Sequence, residues 1–217
     1  MSLILNLETS TKNCSVSISN SGKCLVSLEE YSKQYLHIEK LHIFIENAIK
    51  ISKINLTDLQ SICVSKGPGS YSSLRVGVNA AKGFCISLGI PLLSVDSLTV
   101  IIQSINVKNG YIHPMIHAKS DFFYTSMFDK YKNRLSPICL KNINDIFPKK
   151  EKNEEKNIYI GNVDFFSFNS FNKEFIKNKK NFIPNTYPSA KNMSLISYIK
   201  FNEKKFNKIE KFFPFYL

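Results

Sequence analysis

The chain has 217 residues, with 29 Lys+Arg against 17 Asp+Glu, a formal charge of +12, and 43% hydrophobic and 12% aromatic residues. That apolar content can fill a buried core and excludes the disordered and fibrous classes, while the length fits one large domain or two small ones. The basic excess favours an acidic partner such as RNA, yet only Arg75 and Arg134 are arginine, and richness in Lys, Asn and Ile also arises by drift toward AT-rich codons.

Residues 2–8 alternate around Leu3, Leu5 and Leu7, and residues 14–19 set Cys14, Val16 and Ile18 opposite Ser15, Ser17 and Ser19, the period of β-strands. Thr9 to Asn13 form the turn between them, and Asn20-Ser21-Gly22 leads to a third strand near residues 23–30. A helix follows over residues 33–51, with Ile38, Leu41, Ile45, Ala48 and Ile49 on one face and Leu36, Ile43, Phe44 and Ile51 outside it. Apolar residues on more than one face mean either deep burial or a second face kept for a partner.

Residues 61–65 read as a short buried strand, followed by Lys66-Gly67-Pro68-Gly69-Ser70 and a helix over residues 72–88 that Ser70, Ser72 or Ser73 can cap. Gly77, Ala80 and Ala81 gather on one side of this helix, which Phe84 and Leu88 extend. Small residues there permit close approach of a second backbone, either from a partner or from the chain's own sheet. Residues 92–95 form a parallel strand, and Asp96 can cap a helix over 97–105. Strands over 111–118 and 122–128, joined by Lys119-Ser120-Asp121, repeat the rhythm of the opening hairpin and hint at a duplicated unit.

Residues 141–157 and 170–181 are charge-dense and read as surface loops, the second carrying Lys173, Lys177, Lys179 and Lys180. Pro188-Ser189 starts a last helix in which Met193, Ile196 and Ile199 share a side, and the aromatic ending from Phe212 to Leu217 is too apolar to hang in water. The five cysteines are odd in number and include no Cys-x-x-Cys pair, which suits reduced, mostly buried thiols. The N-terminus meets Glu8 before a signal segment forms, and no apolar run approaches the ~18–20 residues of a bilayer span, so a soluble cytoplasmic protein is expected.

Two segments can carry chemistry. Glycines flanking Pro68 between a strand and a helix N-terminus make a loop whose N–H groups can hold a phosphate, although the Walker A spacing is missing and a tight structural turn is the simpler account. Glu8-Thr9-Ser10-Thr11 places a carboxylate and three hydroxyls at a strand end, suited to metal-bound phosphate or to satisfying a turn backbone. His37 and His42 stand five residues apart, about 140° around a helix, and do not suit one metal.

The opening ILNLETSTKNCSVSIS, the His37-x-x-x-Leu41 helix, the run from Gly67 to Leu98 and MIHAKSDFFYTSMFD from Met115 to Asp129 together resemble the TsaB (YeaZ) family. Pro188-Ser189-Ala190-x-x-Met193 and the ending Pro214-Phe215-Tyr216-Leu217 extend the likeness. The resemblance implies an α/β, actin/Hsp70/sugar-kinase-like (ribonuclease-H-like) fold of two similar lobes, residues 1–96 and a reduced lobe of residues 97–217. It implies a non-catalytic subunit of a tRNA threonylcarbamoyltransferase complex, binding a TsaD-type transferase that modifies the tRNA adenosine 3′ of the anticodon to N6-threonylcarbamoyladenosine. A TsaE-type ATPase is then a further partner, tRNA an indirect one, and ATP and a metal belong to partner subunits, with no cofactor of its own.

By the same resemblance His37, Leu41, Phe44, Arg75, Gly77, Ala80, Ala81, Phe84 and Leu88 form the partner interface, which can also support a homodimer. Glu8, Thr9, Ser10, Gly67, Pro68, Gly69 and Ser70 form a phosphate-loop-like group. Ser73 replaces a familial Gly, and His117, Lys119 and Phe122 depart from the Asp, Arg and Glu common in relatives, while a His-x-x-x-His metal pair is missing. Alternatives are an autonomous ATP-binding phosphotransferase using Glu8, Thr9 and the Gly67–Ser70 loop, and an RNA-binding module using the lysines of residues 173–180.

Overall fold

The computed structural model describes residues 2–34, 36–147, 157–162 and 181–217. Two compact units form, the first from Met1–Val100 with Pro188–Tyr216 and the second from Ile101–Tyr187 with Leu217. The break falls close to the expected boundary between residues 96 and 97. The expected second lobe of 97–217 is nevertheless corrected at its far end, because residues 188–216 fold with the first unit.

In the first unit, strands β1 (Leu3–Glu8), β2 (Asn13–Asn20), β3 (Lys23–Tyr31), β4 (Ser61–Ser65) and β5 (Leu92–Val95) make a sheet of order β3-β2-β1-β4-β5. β1, β2 and β3 pair antiparallel, and β1, β4 and β5 pair parallel. Helices α1 (His37–Ser52) and α2 (Tyr71–Leu88) cover one face, where Leu3, Leu5, Leu7, Val16 and Ile18 meet Leu41, Ile45, Val78 and Ala81. The other face gathers Ile4, Cys63, Leu93 and Val95 under Ala190 and Met193. Every residue of β1 is therefore buried.

The serine side of β2 is buried as well, which hydroxyls tolerate only when hydrogen-bonded. Asn6 Nδ2 donates to Ser17 and Ser19 Oγ at 3.3 and 3.2 Å. Asn13 Nδ2 donates to the carbonyl of Pro188 at 3.1 Å, so the chain returning at Pro188 closes this face. After a 3₁₀ turn (Ala190–Met193) comes a helix, Ser194–Asn202, that buries Ser194 and Ser197; Met193 and Ile196 pack together as expected, whereas Ile199 stays 46% exposed and is corrected.

The second unit repeats the first in outline. After α3 (Ser97–Ile102), which ends three residues earlier than expected, come β6 (Tyr111–Lys119), β7 (Phe122–Thr125), β8 (Phe128–Asp129), β9 (Cys139–Asn142), α4 (Ile143–Ile146), β10 (Asn157–Gly161) and β11 (Phe182–Ile183). The sheet order is β11-β10-β6-β7-β9. β6, β7 and β9 pair antiparallel, and β6, β10 and β11 pair parallel. Reading β6, β7, β9, β10 and β11 as the counterparts of β1 to β5 gives the same strand order twice, so the duplication hinted at by the hairpin rhythm extends over a whole sheet.

The expected strand 122–128 is split, because Ser126 Oγ donates to the carbonyl of Ser136 at 2.7 Å and Ser136 Oγ accepts from Met127 N at 2.9 Å, diverting the backbone. The segment 141–157 is also corrected: Ile143, Ile146 and Phe147 join Met115, Phe123 and Tyr159 in the second core. Residues 148–156, and the lysine-rich stretch with Lys173, Lys177, Lys179 and Lys180, lie outside the described residues. Among the described residues no helix is long and apolar enough to cross a membrane.

Candidate functional site: a closed loop and a helical face

The phosphate-loop-like residues do come together. β1 ends at Glu8, whose Oε1 accepts from the Ser10 N–H at 2.7 Å. β4 ends at Ser65 and delivers the Gly67–Ser70 loop to the same edge, where the Ser70 N–H donates to the Ser10 carbonyl at 2.8 Å. Close approach requires glycine: a Cβ at Gly69 would collide with the Ser10 backbone, and one at Gly77 with the Thr9 side chain.

Backbone groups of the loop at Lys66, Gly67 and Ser70 are engaged by the protein itself. Lys66 N donates to the Val95 carbonyl at 2.9 Å, the Gly67 carbonyl accepts from Ser97 N at 3.0 Å, and the Lys66 carbonyl accepts from Phe215 N at 2.7 Å. Glu8 and Thr9 are 0% exposed and Ser10 is 1% exposed. Burial pushes the Glu8 carboxyl above its ordinary range, against the lowering effect of the Ser10 and Ser65 contacts. Ser70 caps α2 through its backbone position without a side-chain capping bond; its hydroxyl lies 3.0 Å from that of Ser73.

The expected interface residues divide. His37, Leu41, Gly77 and Ala81 point into the first unit, at 1% exposure or less for His37, Leu41 and Ala81, so the close approach that Gly77 and Ala81 allow is to the chain's own sheet. This corrects their assignment to a docking surface. Burial also holds the His37 imidazole below the usual histidine range. Phe44, Ala80, Phe84 and Leu88 are half-buried and Arg75 is exposed. His42 lies outside, its ring 6.0 Å from that of Phe84, where α1 meets α2.

Ile38 is 78% exposed, which corrects its placing on the inner face with Leu41 and Ile45, and outward positions that sequence patterning left out are Ile86 at 68% and Gly83, whose missing Cβ would meet no atom within 4 Å. Helical spacing signals which residues cluster, not which cluster faces water, and this is why they were missed. In the second unit the hairpin turn holds His117 by Nε2 to the Ser120 carbonyl at 2.8 Å, with Lys119 and Phe122 exposed. Among the described residues no group of three His, Cys, Asp or Glu is placed to hold a metal.

Two sheets of one ribonuclease-H-like order define an α/β protein of the actin-like class. The solved structure of YeaZ from Pseudomonas aeruginosa superposes with a TM-score of 0.80 over 100% of both chains at 19% identity, a likeness of fold. A family model described as TsaD, tRNA N6-adenosine threonylcarbamoyltransferase, matches residues 30–211. The chain is 28% identical over 107 residues to the tRNA threonylcarbamoyladenosine biosynthesis protein TsaB of Escherichia coli (strain K12), covering 49% of this chain and 46% of that protein. It is 29% identical over 165 residues to the TsaB protein of Buchnera aphidicola subsp. Schizaphis graminum, covering 73% and 78%. The matched stretch thus spans about half the length of the first relative and more than two thirds of the second. The chain belongs to this threonylcarbamoyltransferase family, on its TsaB (YeaZ) branch.

Proposed function

We propose that this chain acts in N6-threonylcarbamoyladenosine formation in tRNA, as a non-catalytic subunit that docks a TsaD-type transferase through the outward sides of α1 and α2. The observation that carries the reading is the outward face itself. Helices that already bury Leu41, Ile45, Val78 and Ala81 against their own sheet also expose Ile38 and Ile86 and leave open space at Gly83. The half-buried Phe44, Ala80, Phe84 and Leu88 flank that face.

The loop geometry supports a supporting rather than a phosphoryl-transferring role. A phosphate seated at the N-terminus of α2 would need the Ser70 N–H, which donates to Ser10, and a carboxylate acting on a metal would need access to Glu8, which is fully buried. ATP and metal chemistry then fall to the transferase and to a TsaE-type ATPase, with tRNA held through the assembly.

Gly83→Arg tests the reading. The substitution adds a side chain into open space and replaces a helix glycine, so the monomer keeps or gains stability by up to about 1 kcal/mol. Co-purification with the TsaD homologue of the same genome, and threonylcarbamoyl transfer requiring both chains, should be lost in the variant. Unchanged complex formation by Gly83→Arg, or transfer by the TsaD homologue alone, refutes the docking role.

A further inference from the structure

The C-terminal tail lies along α2. Phe212 is 8% exposed in the first core and its carbonyl accepts from Lys82 Nζ at 3.3 Å, while Phe215 N is tied to the Lys66 carbonyl. Tyr216 packs on Tyr71 with ring centroids 4.9 Å apart, and its hydroxyl accepts from Arg75 Nε at 3.3 Å. The Arg75 guanidinium lies 4.1 Å over the Tyr71 ring, and Lys82 Nζ lies 5.3 Å from the centre of the Phe213 ring. The aromatic ending therefore docks only in part: Tyr71, Phe213 and Tyr216 remain 55%, 70% and 41% exposed.

We propose that α2 and the tail present one cationic, aromatic surface, made of Tyr71, Arg75, Lys82, Phe213 and Tyr216, that seats on a carboxylate-bearing surface of the transferase partner. The inference rests on the docking role argued above and gives that interface its chemistry.

Neither Tyr71–Leu88 nor Lys211–Leu217 contains an Asp or Glu, so neither segment supplies a side-chain counter-charge to Arg75 or Lys82. The ion pairs among the described residues are Lys40–Glu30, Lys50–Glu46 and Lys205–Glu203, which leaves Arg75 and Lys82 held by rings and hydroxyl or carbonyl groups alone. Cations stacked on aromatic rings keep their charge and are already ordered, so pairing them with carboxylates loses little side-chain entropy. Exposed Tyr and Arg side chains are also the types that concentrate binding energy at protein interfaces.

Lys and aromatic groups also suit RNA, but two cations are few beside the roughly 6–10 phosphate contacts of a typical nucleic-acid site. Continuity with Gly83 and Ile86 on the same helix favours the protein partner.

The test measures affinity for the purified TsaD homologue at low and high salt, with tRNA as a separate probe. Arg75→Glu combined with Lys82→Glu should weaken partner binding about 100-fold at low salt and reduce its salt dependence. Phe213→Ala with Tyr216→Ala should weaken it about 10-fold with no loss of thermal stability. Wild-type affinity in both double variants, while Gly83→Arg abolishes binding, overturns this inference and leaves the docking role standing. If Gly83→Arg also binds normally, the docking role itself fails and the inference with it. Retained partner affinity with lost tRNA binding in the charge-reversed variant would overturn it in favour of an RNA surface.

Discussion

Ser15 and Ala190 are joined across the sequence by a hydrogen bond from the Ala190 N–H to Ser15 Oγ at 2.9 Å, and the carbonyl of the same alanine accepts from Ser17 Oγ at 2.8 Å. Both serines are fully buried, so removing either hydroxyl strands a backbone group in the interior. Ser15→Ala and Ser17→Ala should each cost about 1–3 kcal/mol, read as a lower urea midpoint at constant m-value. Exposed Ser21→Ala should change neither quantity.

Ala81→Glu separates core from surface on one helix. Ala81 is 0% exposed against the sheet, so the variant forces a carboxylate into the first core and should unfold the chain or leave it insoluble. Gly83→Arg, two positions on, should melt at or above the wild-type temperature. A soluble, native Ala81→Glu protein would return Ala81 to the surface.

Gly77→Ala should destabilise by about 1–3 kcal/mol although alanine is the better helix former, because its Cβ would collide with Thr9. Chemical denaturation gives the sign directly: a stabilised variant would mean that the β1 turn and α2 can separate freely.

Burial raises the folded-state pKa of Glu8 above its ordinary value of 4.5. The unfolded chain then releases this proton at lower pH than the folded one, so the contribution to stability is complete below pH 4.5 and is lost as pH rises through the folded-state value. Glu8→Gln removes that loss. Its stability relative to wild type should be smallest in acid and should increase toward neutral pH, as urea titrations across the range will record. A variant that is less stable at neutral pH would mean that the ionised carboxylate is needed.

Thiol labelling of the folded chain should be ordered by burial. Cys14, Cys63 and Cys85 are buried, with thiols pushed up to about 12, whereas Cys24 and Cys139 are half-buried, burial also pushing the Cys24 thiol up. Cys139 should react first with an aromatic disulfide reagent, and the three buried thiols only after denaturation.

The first half of the fold was legible because its periods are clean. Leu3, Leu5 and Leu7 mark β1, and Leu41, Ile45 and Ala48 mark the inner side of α1. The meeting of Glu8–Ser10 with Gly67–Ser70 could be anticipated only as a shared chemistry. Its closure by the Ser70 to Ser10 bond depends on register, which composition does not encode. Gly77 and Ala81 illustrate a real degeneracy, since small residues on a helix permit close packing by any neighbour, and here the neighbours are β1 and its turn. Ile143, Ile146 and Phe147 were hidden by the charged residues that follow them, which averaged a core element into an apparent loop.

The pairing of β2 with residues 188–190 also sets an order on assembly. During synthesis the seven-residue stretch from Asn13 to Ser19 emerges early together with Ile4, Asn6 and Glu29, which bond part of its polar groups, but the Pro188 and Ala190 backbone groups that pair with Asn13, Ser15 and Ser17 leave the ribosome only after residues 101–187 have been made. Until then the nascent first unit keeps a polar trench open to water along the middle of its sheet, and its completion is a late, long-range closure that local folding cannot supply.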